Sequence, residues 1–277
     1  ILALGAEHAM DGVPGLAEHG INAWDRAETD RARAAIAGIG RGRLVIGIFG
    51  TPYACPPGPF ELAMLARDRL GTGVEISLFS PAPIALPVLG QQESAKLEQL
   101  IADRGIDFHP NRKAAAVDEG SIHFSDGSEL PYDVLLSVPP HRCPKVLVAA
   151  GLAEPGGWVG PDPRTLETAH DGVYAIGDCT EIKLASGLSL PKAGVFAEAQ
   201  GEVVAERIGA RLRGVPPEAT FSGEGACFIE TGGGEAAKAE GAFMADPPQV
   251  HITQPNAQAM EEKLDFERSR LHAWFGQ

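Results

Sequence analysis

The stretch Gly172-Val173-Tyr174-Ala175-Ile176-Gly177-Asp178-Cys179, with Leu190-Pro191-Lys192-Ala193-Gly194 shortly after it, decides how this chain is read. A short apolar run ending in Gly-Asp reads as a buried strand that delivers a carboxylate into a crevice. The glycine lets a ligand approach the backbone, and Asp178 can accept hydrogen bonds from a hydroxylated ligand. Pro191 precedes a helical pattern from Ala193 to Leu212. The amino terminus of that helix would turn free N–H groups and positive dipole toward the same crevice.

Upstream, Arg43–Phe49 reads as a strand, Gly50–Pro59 as a loop, Phe60–Leu70 as an amphipathic helix and Gly73–Ser80 as the next strand. That β–loop–α–β order is the building block of a parallel sheet. Residues 1–6 read as a strand, and Asp25–Ile39 and Gln91–Arg104 as helices. Residues 113–138 read as short strands (AAAV, SIHF, YDVLLSV) with Asp126-Gly127 as a hairpin turn. Beyond the motif, CFIET and AKAEGAFM suggest a hairpin around Gly232-Gly233-Gly234, and Asn256–Phe275 a terminal helix.

The first β–α junction of a dinucleotide domain normally carries G-x-G-x-x-G, so that a pyrophosphate can rest on the helix amino terminus. Here it reads Gly50-Thr51-Pro52-Tyr53-Ala54-Cys55-Pro56-Pro57-Gly58-Pro59-Phe60-Glu61, where prolines remove N–H donors and the later glycines of the pattern are absent. NAD(P) is therefore not expected to bind here in the usual way. The loop offers a thiol instead. Cys55 stands just before a helix start, where the dipole favours a thiolate. The four cysteines are scattered with no C-x-x-C, which is neither a zinc site nor a disulfide framework. Cys143 and Cys227 read as buried, inert thiols.

The formal charge of −14 excludes a nucleic-acid surface, and no apolar run approaches the ~20 residues of a membrane-spanning helix. The chain opens inside an apolar run, Ile1-Leu2-Ala3-Leu4-Gly5-Ala6, which suggests that a natural N-terminal portion precedes it.

CPPGPFE at 55–61, VPPHR at 138–142, AGLAEPGGWVGPDPRTLET at 150–168, GVYAIGDCT at 172–180 and LPKAGVFAEAQGEVVA at 190–205 together resemble sulfide:quinone oxidoreductases and the flavoprotein subunit of flavocytochrome c sulfide dehydrogenase. The resemblance runs over essentially the whole chain. It implies an α/β architecture: a Rossmann-like nucleotide-binding domain with a small antiparallel meander, plus the C-terminal half of a second, FAD-binding Rossmann-like domain. The corresponding segments are 1–24 (end of a first FAD segment), 25–143 (NAD(P)-binding-like), 144–215 (C-terminal FAD segment) and 216–277 (hairpin and helix).

The same resemblance implies FAD, with Gly5 and Ala6 near its adenine half, Gly177 letting it approach the backbone, Asp178 accepting from its hydroxyls, and Lys192, Ala193 and Gly194 at the flavin's pyrimidine edge. It implies sulfide as substrate, Cys55 and Cys179 as redox cysteines, and a quinone or a cytochrome as electron acceptor. In the flavocytochrome c branch the second cysteine follows Gly-Asp after one intervening residue; Cys179 stands one residue earlier, which can turn it to the opposite face. The missing first G-x-G-x-x-G implies that the chain as given holds FAD weakly. The resemblance leaves open an NAD(P)H-dependent flavoprotein reductase, and an inactive homologue that binds a partner. The terminal helix, with Met260, Leu264, Leu271, Trp274 and Phe275 near helical spacing and mixed charge, suits packing on the body, a homodimer contact or a peripheral membrane contact. Both a cytoplasmic and a membrane-peripheral location are compatible with these features.

Overall fold

Leu44–Ile48 is apolar without alternation, as a strand covered on both faces requires. In the computed structural model, which describes residues 1–276, this strand lies at the middle of a wholly parallel five-stranded sheet. In chain order the first elements are β1 (Glu7–His8), α1 (Leu16–His19), β2 (Ile21–Asn22), α2 (Thr29–Gly38), β3 (Gly42–Ile48), α3 (Gly58–Leu70), β4 (Val74–Phe79), α4 (Gly90–Ala102) and β5 (Ile106–His109). A meander of β6 (Ala114–Asp118), β7 (Ser121–Phe124) and β8 (Glu129–Pro131) follows, then β9 (Val134–Val138), β10 (His141–Arg142) and α5 (Lys145–Ala149). The last elements are α6 (Gly194–Leu212), β11 (Glu224–Gly232), β12 (Glu235–Ala242), β13 (Gln249–Ile252) and α7 (Ala257–Phe275). The parallel sheet has the order β2-β9-β3-β4-β5.

Alternate residues of these strands feed two cores. Leu44, Ile46 and Ile48 of β3, with Ile76 and Leu78 of β4, pack on Phe60, Ala63 and Met64 of α3 and Leu97 and Ile101 of α4. Val45, Leu135 and Phe79 face the meander residues Val117, Ile122 and Phe124. Gly47 makes room for this second core: a Cβ there would lie 2.6 Å from both the Phe49 and Phe79 rings. Those rings meet edge to face at 5.1 Å, and Phe79 meets Phe124 in the same way.

Several expected elements differ in detail. The YDVLLSV segment does not join the meander. Its β9 returns to the parallel sheet between β2 and β3, because its apolar residues need cover on both faces, and β8 completes the meander. Residues 1–6 form no strand beyond a single parallel bridge, Leu2 to Ala175, and Tyr174 adds one antiparallel bridge to Glu167. Gly177–Cys179 turns into a 3-10 helix, so the Gly-Asp motif ends an extended segment with one bridge on each side rather than a ladder. Residues Val13 and Leu16 pack in the meander core, and β2 belongs to the parallel sheet. The C-terminal hairpin gains a third strand, β13.

The terminal helix is capped by the Asn256 side chain, which accepts from the Ala259 N–H at 2.8 Å. Ala259 is buried and Phe266 meets Phe228 of β11, whereas Trp274 and Phe275 are exposed. No helix among the described residues is long and apolar enough to cross a membrane.

Candidate functional site

The cysteine loop and the Pro-Lys motif meet backbone to backbone. Ala54 pairs with Lys192 in a parallel bridge, and the Cys55 N–H donates to the Lys192 carbonyl at 2.7 Å. The Trp24 indole N–H donates to the Ala54 carbonyl at 2.7 Å, and the Tyr53 hydroxyl to the Pro56 carbonyl at 3.0 Å. So held, Cys55 adopts a left-handed backbone with φ of 55°, a conformation rare outside glycine and concentrated at functional positions. Gly58 is needed beside it: an added Cβ would lie 3.2 Å from the Cys55 sulfur and 2.9 Å from the Trp24 ring.

The α3 amino terminus has no donors left for a phosphate. The Gly58 N–H is bound to the Cys55 carbonyl, Phe60 and Glu61 N–H both go to Pro57, and Pro59 has none. This agrees with the loss of the glycine-rich fingerprint.

All four thiols are free. Cys179 is buried, with its sulfur 3.3 Å from the Ile176 carbonyl and 3.6 Å from the Leu2 carbonyl. Its sulfur neighbour is Cys143, whose own sulfur lies 4.0 Å from the Cys179 carbonyl. Cys227, read from sequence as inert and buried, is half-buried on β11, on the strand face turned toward α3. Register explains this. Cys227 opposes Ala239 and shares a strand face with Ile229, and both Ala239 and Ile229 pack on the α3 side.

The expectation of a thiolate favoured at Cys55 is corrected. Although the residue is exposed overall, desolvation of its sulfur followed by the Glu61 carboxylate raises its pKa; the Gly58 N–H and Lys263 pull the other way. Burial, with smaller contributions from Cys55 and Glu61, pushes Cys227 up to about 12.

The Gly-Asp motif forms a crevice with the start of α6, lined among others by Gly177, Asp178, Thr180, Pro191, Phe196 and Gln200. Gly177 has φ of 69°, and its N–H donates to the buried Gln200 side chain at 2.7 Å. The Asp178 carboxylate is half-buried with no protein donor among the described residues, and desolvation raises its pKa. Ala193 is the N-cap of α6 and provides no side-chain cap, and the N–H groups of Ala193, Gly194 and Val195 have no protein acceptor among the described residues. An unpartnered acceptor beside unpartnered amides fits a cofactor that carries both hydroxyls and carbonyl or phosphate oxygens, as FAD does.

Lys192 is held differently from a side chain that projects at a ligand. It is buried, its ammonium donates to the carbonyls of Asp178 at 2.7 Å and Thr180 at 2.9 Å, and it lies 3.4 Å from the Trp158 ring centroid. Burial lowers its pKa to about 8. Gly5 has φ of 66° with open space around it, and Ala6 is half-buried next to β1.

Set against known proteins, the family model described as pyridine nucleotide-disulphide oxidoreductase matches residues 1–201. The chain belongs to this family. The rubredoxin-NAD(+) reductase of Alcanivorax borkumensis is 35% identical over 126 residues, covering 43% of this chain and 32% of that protein. The mitochondrial sulfide:quinone oxidoreductase of Schizosaccharomyces pombe is 26% identical over 208 residues, 70% of this chain and 44% of that protein. The chain thus spans less than half the length of these two curated relatives. Among solved structures, the sulfide:quinone oxidoreductase of Aquifex aeolicus superposes with a TM-score of 0.79 at 19% identity, covering 96% of this chain and 66% of that one. The chain shares its α/β fold with that structure.

In this chain, three groups at the site escaped sequence reasoning. Cys227 reads from sequence as a buried, inert thiol, and Trp158 and Gln200 look like ordinary packing residues. The alternation of CFIET gave a usable signal, since Cys227 and Ile229 fall on one face of the strand.

Proposed function

We propose that the chain is the thiol-bearing part of an FAD-dependent oxidoreductase that oxidises sulfide, with Cys55 and Cys227 as its exchanging thiol pair and Cys179 as a packing residue. The observation that carries the proposal is the left-handed loop of Cys55, bonded to the Lys192 carbonyl beside the crevice of Asp178 and the α6 amino terminus, with Cys227 on the β11 face that packs on the helix following that loop. The name of the Aquifex and Schizosaccharomyces relatives supports the choice of sulfide and quinone.

Asp178, Ala193, Gly194 and Val195 would hold the cofactor. When bound, FAD supplies a two-electron acceptor. The chain's own part is exchange: hydrosulfide attacks the oxidised Cys55–Cys227 pair, the S–S bond breaks, one cysteine keeps a persulfide and the other leaves as a thiolate. A groove on the opposite face of β11 from Cys227 sets apolar Val195, Ala199, Phe228 and Phe266 among charged Glu198, Glu202, Lys238, Glu262 and Arg270.

The test is anaerobic addition of sulfide to FAD-loaded protein, followed by absorbance near about 450 nm, the flavin band. Bleaching that is lost in both Cys55→Ser and Cys227→Ser and kept in Cys179→Ser supports the assignment. Bleaching kept in Cys227→Ser and lost in Cys179→Ser refutes the pairing, and no bleaching of the wild type refutes the function. A second function, NAD(P)H-dependent flavin reduction, is favoured by the 35% identity to a rubredoxin-NAD(+) reductase and is recognised by bleaching with NADH instead.

A further inference from the structure

Side chains from three separate elements meet where α3, β11 and α7 come together. Glu61 sits in the first turn of α3, shortly after Cys55; Glu230 lies on β11, shortly after Cys227; and Lys263 comes from α7. The Lys263 ammonium donates to Glu61 Oε1 at 3.1 Å and to Glu230 Oε1 at 2.6 Å, while the Glu230 N–H donates to Glu61 Oε2 at 3.2 Å. Both oxygens of Glu61 are thereby fixed, and α7 is tied at one point to the helix that follows Cys55 and the strand that carries Cys227. The three side chains are half-buried, so their charges are less screened than those of surface pairs.

We propose that Lys263 is a positioning residue for the sulfur site: by clamping Glu61 against β11 it sets the charge that Cys55 meets, and so couples the reactivity of that thiol to the seating of α7. The proposal rests on Cys55 being the reactive thiol named above. The titratable groups that bear on Cys55 are Glu61 from α3, Lys263 from α7, Asp178 from the turn at 177–179, Cys227 from β11 and Tyr53 of its own loop, with Glu230 acting through its bond to Lys263. Glu61 and Asp178 disfavour a thiolate and Lys263 favours it. Burial works against the charge on Lys263, but Glu230 and Glu61 outweigh it and raise its pKa, so it stays cationic while a thiol titrates. The rest of α7 is seated by Lys238 donating to Glu262 at 3.1 Å and Arg270 to Glu198 at 3.0 Å, neither of which reaches the thiols.

The experiment is the pH dependence of iodoacetamide alkylation at Cys55 in the full chain, read by peptide mass spectrometry, with no cofactor needed. In Lys263→Met the alkylation midpoint should move up and the rate below it fall by about three- to tenfold, since one pKa unit is tenfold in thiolate. Lys263→Arg should keep the wild-type midpoint, and Glu61→Gln should move it down. A midpoint unchanged in Lys263→Met, or moved the same way in Lys263→Met and Glu61→Gln as loosened packing would do, overturns the proposal. Should Lys263→Met fail to fold, the downward shift in Glu61→Gln becomes the deciding result, and its absence is a refutation. The sulfide assay fails separately: no flavin bleaching together with this midpoint pattern removes the sulfide function and leaves the clamp standing.

Discussion

Replacing Lys192 with methionine should make the chain's stability respond to alkaline pH in a way that isolates one buried cation. In the folded protein Lys192 is 5% exposed, and burial brings its pKa from an ordinary 10.5 down to about 8. Below pH about 8 the lysine is charged in both folded and unfolded states, and burying the charge weakens folding. Between pH about 8 and 10.5 the unfolded chain holds a proton that the folded chain has released, so stability rises with pH. Above 10.5 both states are neutral and the penalty is gone. The shift of about 2.5 units corresponds to roughly 3 kcal/mol at about 1.4 kcal/mol per unit.

The neutral amine still has two N–H groups for the Asp178 and Thr180 carbonyls, so the hydrogen bonds at 2.7 and 2.9 Å survive deprotonation. Urea unfolding of wild type and Lys192→Met at several pH values between 7 and 11 gives the difference in stability, from which other alkaline groups cancel. Near pH 7 the variant loses two carbonyl partners but also sheds the cation, and the difference should be small. Toward pH 10.5 the wild type should gain up to about 3 kcal/mol on the variant. A difference that is flat, or that falls with pH, would show that the ammonium is not buried as described and refute the reasoning.

Gly47→Ala should destabilise the parallel sheet by about 1–3 kcal/mol in urea unfolding, because the new methyl group meets Phe49 and Phe79 at 2.6 Å and must displace an aromatic pair. Asn256→Ala should cost about 1 kcal/mol by removing the cap of α7, and it should raise amide exchange at the start of that helix first. Calorimetric titration of the chain with NADH should give no saturable binding, since the α3 amino terminus has no free N–H for a pyrophosphate; a saturable isotherm would overturn that conclusion.

How much was legible depended on whether a feature is local. The strand at Arg43–Phe49, the helix from Ala193 and the terminal helix Asn256–Phe275 follow from patterns within a few residues, and the structure bears out each to within a residue or so. The missing phosphate donors were legible too, because proline removes an N–H wherever it stands. The place of β9 was not, since a run of apolar residues specifies burial on both faces without naming its neighbours.

By itself the sequence determined the parallel α/β fold, the Gly-Asp crevice and the thiol at Cys55, since hydrophobic period, glycine and proline placement and helix starts act over short range. Only the tertiary structure decided which way the other cysteines face. Cys227 is remote in sequence but lies on the β11 face that packs on α3, whereas Cys179 turns its sulfur to the carbonyls of Ile176 and Leu2. The same holds for Lys263 and Glu61, whose contact exists because α7 is seated on the hairpin. Spacing along a chain fixes which face a residue takes, while the partner across that face is set by packing between elements distant in sequence.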